Sequence, residues 1–309
     1  MIIAISALRI RDLFIIAMLF GIYSLLTASL FMNLDAVDVA FTEAAVGSGI
    51  STILLLATLK VVGRYESAHK KNSIVSLIIV IVTGAVLVYG LQDAPLIGNQ
   101  ESPAHLHVAP SYIEEAYNKT GVPNLVTAVL ASYRGFDTLG EVVVVFTAGL
   151  SIILLLGASK TDPVKDYGSI SDQNIQKIVT KIIIPFILIF ALYVQFHGDY
   201  GAGGGFQAGV IFSSGIIIYD LVFGNQFAKK IIPSSLLVRL ASLGVLLFGI
   251  TGLLSLLEGK EFLNYSALSE DPIHGQHLGI ILIEFGIGLT VFSVISLIYF
   301  AFSTRRIAR

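Results

Sequence analysis

The chain has 309 residues, of which 55% are hydrophobic and only 13% are charged, and its mean hydropathy is +0.85. This composition excludes a soluble globular domain and indicates a protein that crosses the membrane several times. The chain has no cysteine, which excludes cysteine-ligated iron–sulfur clusters and thiol redox chemistry. The net charge of −2 says little as a sum, because in a membrane protein the positions of the charges carry the information.

Eight apolar runs approach the ~20 residues that an α-helix needs to cross a bilayer. They are residues 13–32, 37–62, 74–91, 139–158, 179–196, 204–224, 236–257 and 278–302. The first run follows Arg9 and Arg11, but no small-residue cleavage site comes after it, so we interpret it as a span rather than a removed signal peptide. The predicted fold class is therefore all-α, a polytopic membrane bundle of about eight transmembrane helices.

The lysines and arginines divide unevenly between the two sides of this bundle. If the N-terminus is cytoplasmic, all but three of the 19 basic residues lie on the cytoplasmic side or at its edge. Only Lys119, Arg134 and Lys260 lie on the outer side, where acidic residues collect. Because basic residues favour the cytoplasmic side, we expect a multi-pass protein of the cell (inner) membrane with both termini in the cytoplasm.

Two connections between the spans are longer than simple turns. The third connection, residues 92–138, contains an apolar stretch between Pro123 and Arg134. At about a dozen residues this stretch is too short to span, so we expect a re-entrant or surface-lying helix on the outer side. The fourth connection is hydrophilic and is the best linker in the chain. The predicted domains are residues 1–160 with four spans, a cytoplasmic linker at 161–177, and residues 178–309 with four spans.

Several carboxylates interrupt the spans. An ionisable group inside a membrane helix costs a few kcal/mol at mid-depth and usually faces the bundle interior or a water path. Glu43 and Glu284 each lie about six residues, ~9 Å at 1.5 Å per residue, into their spans, and both are predicted to lie on an ion path. Asp220 lies near the inner end of the sixth span, where it fits a solvated helix end better than a functional role.

A second group of charges lies at the entrance of the fourth span, in the string Y-R-G-F-D-T-L-G-E. Glu141, one turn into this span, fits either an ion path or the partner of Thr138 in a helix-capping box, and the two roles do not exclude each other. Asp137 either forms a structural ion pair with Arg134 or takes part in the ion path. The sequence alone leaves these alternatives open.

The stretch His197–Gly209, H-G-D-Y-G-A-G-G-G-F-Q-A-G, is a polar, glycine-rich hinge between two apolar spans. Irregular backbone at membrane depth must be buried in protein or line a wet cavity, so the hinge is a candidate functional segment. His197 fits either a proton relay or an anchor for the hinge. The glycine spacing does not match a dinucleotide-binding fingerprint. His274 and His277 lack ligands at a recognised metal-site spacing, so no metal site and no cofactor are predicted.

Three motifs resemble parts of one family. The hinge, together with G-I-I-L-I-E-F-G-I-G-L-T in the last span, resembles the B subunit of the Mrp-type multisubunit Na+/H+ antiporters over residues 178–303. D-A-V-D-V-A-F-T-E-A-A-V-G at residues 35–47 is similar to the C-terminal extension of the large A subunit, and residues 133–141 are similar to the next module of that extension. Free-standing versions of both modules occur in energy-converting membrane-bound hydrogenases. The whole chain thus resembles a fusion of the A-subunit tail with the B subunit.

This resemblance implies a subunit of a multisubunit monovalent cation (Na+)/proton antiporter, a secondary transporter component rather than an enzyme, that contributes part of the ion pathway and of the membrane core. Its implied partners are the other antiporter subunits, Na+, H+ and the lipid bilayer, without nucleic acid. The resemblance also implies that Glu43 and Glu141 are acidic residues of the ion path. His197, Gln207 and Glu284 match B-subunit positions. The six predicted residues of the ion or proton path are Glu43, Asp137, Glu141, His197, Gln207 and Glu284.

Two alternative functions remain open at this point. The same modules could belong to an energy-converting hydrogenase or a complex I-like redox pump, or the chain could be a non-conducting structural scaffold. The long antiporter-like domain that precedes the extension in the large A subunit is not in this sequence, so the resemblance further implies dependence on separate pump-like subunits. The sequence also predicts no symmetric pair of interrupted helices of the kind that many secondary transporters carry.

Overall fold

The computed structural model describes residues 2–66, 73–96, 98–156 and 174–303. Within these ranges eight helices are long and apolar enough to cross a membrane, as predicted. They are α1 (Leu13–Asn33), α2 (Val37–Val62), α3 (Ile74–Leu91), α4 (Gly135–Leu156), α5 (Asn174–His197), α6 (Gly205–Phe223), α7 (Ser234–Leu257) and α8 (Pro272–Ser303). Most of the predicted linker and residues 304–309 lie outside the described residues, and the cytoplasmic placement of both termini stays a prediction.

Three spanning helices begin at least four residues earlier than their apolar runs. The helix α5 begins at Asn174, inside the predicted linker, and α4 begins at Gly135. The helix α8 begins at Pro272, because a proline needs no hydrogen-bond partner at a first helical position and Asp271 Oδ1 accepts the backbone N–H of Ile273 at 3.1 Å. Glu284 therefore lies ~18 Å along its helix at 1.5 Å per residue, farther from the start of the helix than the ~9 Å counted from the apolar run.

Of the three π-helical stretches in the described residues, two lie in or next to spanning helices. The first, Ala44–Ile50, divides α2 directly after Glu43. The second, Ala128–Tyr133, precedes α4. A π-helical turn widens the hydrogen-bonding ring and is found frequently at functional sites. The sequence analysis did not predict either interruption.

The third connection contains the predicted short helical segment, and this segment packs into the bundle. A helix at Ala109–Thr120 ends at Gly121, whose φ of +71° is left-handed. The chain then re-enters helix after Asn124, and Ala128 is completely buried. The hydroxyl of Tyr265, in the loop before α8, donates to the carbonyl of Ala131 at 3.0 Å. We call this side of the molecule, where α5 ends and α6 begins, the hinge end.

The helix α8 lies at the centre of the bundle and packs against α4, α6 and α7. Glycines permit these close approaches: a Cβ added at Gly209 of α6 would lie 2.8 Å from the carbonyl oxygen of Gly288, and one at Gly244 of α7 would lie 2.4 Å from that of Gly286. Small residues let helix backbones approach closely in membranes, where van der Waals packing drives association. By contrast, the described side chains of α3 are all exposed.

Candidate ion-binding site

The non-helical part of the hinge, residues 198–204, folds back into the bundle between α5 and α6. The carbonyl of His197 accepts the N–H groups of Tyr200 and Gly201 at 2.9 and 3.0 Å, and the carbonyl of Val194 accepts the N–H of Gly204 at 3.0 Å. Gly204 has a φ of +114°, a conformation that residues with a side chain rarely adopt. These bonds satisfy part of the irregular backbone, as burial within a membrane protein requires.

Residues from the first half of the chain fasten this hinge. The side-chain amide of Asn124 donates to the carbonyls of Gly198 at 3.0 Å and Gly201 at 2.9 Å. It also lies 3.3 Å from Oδ2 of Asp38, whose Oδ1 accepts the N–H of Gly203 at 3.3 Å. The start of α2, the segment before α4 and the hinge therefore meet at one point, and each contributes polar groups.

A cavity of about 410 Å³ lies beneath this junction. Its wall combines apolar side chains of α2, α4, α6 and α8 with a few oxygen-bearing groups. The acidic and amide side chains in the wall are Asp38, Glu43, Glu141, Gln207 and Glu284. Ligand sites are typically concave, mostly apolar and supplied with a small number of convergent polar groups. The structure thus brings together four of the six predicted site residues from four different helices.

The most deeply placed acid of the cavity is Glu284. The residue is only 8% exposed. A Cβ added at Gly198 or Gly204 would lie 3.1 Å from its Oε1, so the carboxylate sits directly against the glycine backbone of the hinge. Any larger hinge residue at these two positions would occupy the space next to the carboxylate.

The other two predicted site residues do not line the cavity. Asp137 forms an ion pair with Arg134, whose Nη2 lies 2.5 Å from Oδ2, and both side chains are about half exposed. The ion pair with Arg134, which was the structural alternative for Asp137, is therefore observed. The ring of His197 stacks on Tyr193 with 4.8 Å between the centroids, an arrangement that anchors the end of α5.

Two structural roles that the sequence allowed, a capping box for Glu141 and a solvated helix end for Asp220, are not observed. Thr138 does not cap α4, because this helix already begins at Gly135; its hydroxyl donates to the carbonyl of Leu130 at 2.7 Å, so Glu141 has no capping-box partner. Asp220 is not a solvated helix end. It is 6% exposed and accepts hydrogen bonds from Tyr299 at 2.7 Å and from Asn225 at 2.9 Å.

The histidines form no metal site in the described part of the chain, where no group of three or more histidine, cysteine, aspartate or glutamate side chains could hold an ion. Instead His277 pairs with the hinge: its Nδ1 lies 3.3 Å from Oδ2 of Asp199, and its Nε2 lies 3.1 Å from the carbonyl of Gly121. Burial raises the pKa of the Asp199 carboxyl above its usual value, and the nearby His277 opposes this shift.

A second cavity of about 190 Å³ lies on the other side of Glu284. Asp199, Tyr200, His277 and Gln195 contribute its polar groups, and Glu284 lines both cavities. The sequence analysis did not select Asp38, Asn124 or Asp199 for the site. Asp38 and Asp199 stand inside the motifs that were quoted, but nothing local in the sequence indicates that Asn124 contacts the side chain of Asp38 and also donates its backbone N–H to the carbonyl of Asp199.

The arrangement of the larger cavity suits either protons or a small monovalent cation. Carboxylate, amide and carbonyl oxygens are the ligands that hard cations prefer. Acids that are shielded from water, as Glu284 is and as Asp38 and Glu43 partly are while Glu141 is exposed, can also take up and release protons. A cavity that offers the same carboxylates to both kinds of ion makes their binding competitive.

Comparison with known proteins accounts for almost all of the described chain. Three family profiles match in succession: the D subunit of MBH over residues 1–64, the E subunit of MBH over residues 72–173, and a domain related to the MnhB subunit of Na+/H+ antiporters over residues 175–297. The cavity described above therefore lies where these three modules meet.

Two relatives share the sequence at different lengths. A Rhizobium meliloti protein described as the A/B subunit of a probable K+/H+ antiporter is 25% identical over 90% of this chain, which spans only 31% of that relative. A Staphylococcus haemolyticus protein described as the antiporter component mnhB2 is 37% identical, over 41% of this chain and 92% of its own length.

Two solved structures share the fold. A chain of the Mrp complex from a Dietzia species superposes with a TM-score of 0.73 at 24% identity, covering 100% of this chain and 34% of that chain. A chain of the membrane-bound sulfane sulfur reductase, an archaeal respiratory membrane complex, superposes with a TM-score of 0.59 at 27% identity, covering 75% of this chain and 98% of that chain. Because the third module matches nearly the whole of mnhB2 and the first two match the modules that precede it in the A/B relative, this multi-pass membrane protein belongs to the family of Mrp-type antiporter subunits, as a fusion of hydrogenase-related modules with a B subunit.

Proposed function

We propose that the chain is a membrane subunit of a multisubunit monovalent cation/proton antiporter and that the larger cavity is part of the ion pathway. The observation that carries this proposal is the convergence of Glu43, Glu141 and Glu284, each from a different module, on one partly apolar cavity. Isolated ionisable groups inside membrane helices are costly and mark ion pathways by default. The names of the relatives support an exchange of Na+ or K+ for protons.

The physical basis of exchange at this site is competition for oxygen ligands. A protonated carboxyl binds a cation poorly, and a bound cation favours the ionised carboxylate. If Glu43, Glu141 and Glu284 accept either protons or a cation, loading the cavity with one ion releases the other. Gln207 supplies a neutral oxygen. Asp137 and His197 belong to the surroundings of the pathway rather than to its wall.

We propose further that the chain acts only together with other antiporter subunits in the cell (inner) membrane, as a transporter component rather than an enzyme. The names of the relatives describe antiporter subunits, and the helix α3 exposes all of its described side chains. The proposed division is residues 1–160, a cytoplasmic linker at 161–177, and residues 178–309, with both termini in the cytoplasm. The purified chain alone is expected to show no Na+-dependent proton flux in liposomes.

The test is substitution of Glu43 in the co-expressed complex. Glu43→Gln keeps the size of the side chain and removes its charge, so antiport measured in everted vesicles should fall at least about tenfold, or ~1.4 kcal/mol in the barrier. Asp35→Asn is the matched control, because Asp35 is exposed and outside the cavity. Blue-native electrophoresis establishes that both variants assemble. Normal antiport by assembled Glu43→Gln complexes would instead support a non-conducting scaffold.

A second candidate is a membrane subunit of a redox-driven pump, and the likeness to the sulfane sulfur reductase chain favours it. In that case the cavity would still carry ions, but electron transfer in a partner protein would drive them. The purified complex distinguishes the two: a redox pump contains iron–sulfur or nickel centres in its partners, visible by absorbance and metal analysis, and responds to an electron donor. An antiporter responds to an imposed pH gradient alone.

A further inference from the structure

Asp199 in the hinge is a buried acid that does not line the proposed ion cavity. The residue is 8% exposed, and its Oδ1 has no hydrogen-bond partner among the described residues. Its Oδ2 faces Nδ1 of His277 at 3.3 Å. A buried carboxylate oxygen without a partner costs free energy unless a water or an ion meets it. Asp199 is therefore positioned to contact a mobile water molecule or ion.

The smaller cavity provides the space for that species. It has a volume of about 190 Å³, room for several water molecules at the ~10–15 Å³ of free volume that each requires, and Asp199, His277 and Glu284 all line it. Glu284 also lines the larger cavity. Water in the smaller cavity would therefore contact the deepest acid of the ion cavity on one side and the Asp199–His277 pair on the other.

The geometry of His277 determines where its labile proton lies. Its Nε2 faces the backbone carbonyl of Gly121 at 3.1 Å, and a carbonyl only accepts, so this nitrogen carries a proton. The Nδ1 atom, facing Asp199, is then the nitrogen that gains or loses a proton. The side chain of His277 is 28% exposed and that of Asp199 is 11% exposed. His277 is therefore the more solvent-accessible residue of the pair.

Within the described ranges, few other charges act on this pair. Asp38 at the start of α2 and Asp199 itself act electrostatically on Glu284, and His277 acts on Asp199. On the neighbouring helix Ala109–Thr120, Lys119 pairs with Glu115 and both are exposed. Within α8, His274 is exposed one turn before His277, and at the helix start Asp271 caps Ile273.

We propose that Asp199 and His277 form a proton relay between Glu284 and the aqueous surface at the hinge end. In the inward direction the Nδ1–H bond of His277 breaks as an O–H bond forms at Oδ2 of Asp199. A proton leaves Asp199 to cavity water and reaches Glu284, and His277 regains one proton from surface water. One proton enters for each proton delivered, both residues return to their starting state, and release follows the same steps in reverse. The raised pKa of Asp199 fits a group that is protonated transiently in this way.

This inference rests on the proposed antiport function and deepens it, because it assigns the cation and the proton partly different routes. Asp199→Asn retains size and polarity but cannot carry a proton. In the co-expressed complex it should slow Na+/H+ exchange by about a hundredfold or more, because positioned proton-transfer groups typically accelerate reactions by about 10²–10⁴-fold. Na+/Na+ exchange, measured with a radioactive tracer at equal pH on both sides, requires no proton transfer and should continue at the wild-type rate. His277→Gln should behave in the same way, and His274→Gln is the matched control on the same helix.

The outcomes separate the relay from the function on which it rests. If wild-type complexes show no cation-dependent proton flux, the antiport proposal fails. If wild-type complexes are active and Asp199→Asn leaves Na+/H+ exchange unchanged, the relay is wrong. Loss of both exchange reactions in an assembled Asp199→Asn complex also overturns the relay, because it means that Asp199 only holds the hinge in shape. Selective loss of the proton-coupled reaction supports it.

Discussion

The crossing of α6 over α8 is the contact on which the position of Glu284 depends, and a single methyl group should disturb it. A Cβ added at Gly205 would lie 2.0 Å from the carbonyl oxygen of Glu284, 2.9 Å from its carbonyl carbon and 3.0 Å from the backbone nitrogen of Gly288. All three are backbone atoms of a helix, so no side-chain rotation can relieve the overlap. The Gly205→Ala variant must move α6 away from α8 by about 1 Å, since interiors tolerate little overlap.

The size of the effect follows from this geometry. Overpacked interiors typically lose about 1–3 kcal/mol, occasionally more, and a backbone clash belongs at the upper end. At roughly 2 °C per kcal/mol for a chain of this size, Gly205→Ala should lower the midpoint of thermal unfolding by about 6 °C. The same displacement moves the hinge away from the carboxylate of Glu284, so antiport should fall even in complexes that assemble.

Gly249→Ala is the matched control, because nothing lies within 4 Å of a Cβ added at Gly249 of α7. Alanine stabilises an exposed helix by up to about 1 kcal/mol relative to glycine, so this variant should be neutral or slightly more stable. The assay is size-exclusion chromatography with fluorescence detection after heating the detergent-solubilised complex. If both variants unfold at the wild-type temperature, the close backbone contact at Gly205 is not what holds the hinge against Glu284.

Three further predictions use other parts of the structure. Asp220→Ala should destabilise the complex by about 2–4 kcal/mol in the same heating assay, because it leaves the buried hydroxyl of Tyr299 without its acceptor; an effect below ~0.5 kcal/mol would contradict the observed burial. In this cysteine-free chain, a membrane-impermeant maleimide should label Ser102→Cys but not Ser235→Cys in intact cells, and the reverse pattern would invert the predicted topology. Burial raises the pKa of Asp199 above the unfolded pKa of 3.8. The contribution of Asp199 to the stability of the wild-type protein is therefore most favourable below pH 3.8, and it is lost as the pH rises through the folded pKa. Asp199→Asn should accordingly gain thermal stability relative to wild type as the pH rises, and a gap that does not change with pH would refute this explanation.

Much of the architecture was predictable because the bilayer imposes a length and a composition on every span. The eight apolar runs correspond to α1–α8, and the glycine-rich hinge lies between α5 and α6 as expected. The errors occur at helix ends. At Pro272 a proline and an aspartate cap begin α8 outside the apolar run, so the depth of Glu284 could not be read from hydropathy. The burial of Asp220 was missed because Asn225 and Tyr299, its partners, lie in other helices.

The sequence by itself determined that the chain spans a membrane and which segments span it, and it predicted which acids lie on an ion path. These properties are local, since each depends on transferring one helix or one charge from water to hydrocarbon. Only the tertiary structure decided that Glu43, Glu141, Gln207 and Glu284 share one cavity while Asp137 and His197 do not. It also decided that Asp199 meets His277. These contacts depend on how closely the backbones of α6 and α8 pack at their glycines, and no single segment of the chain contains that information.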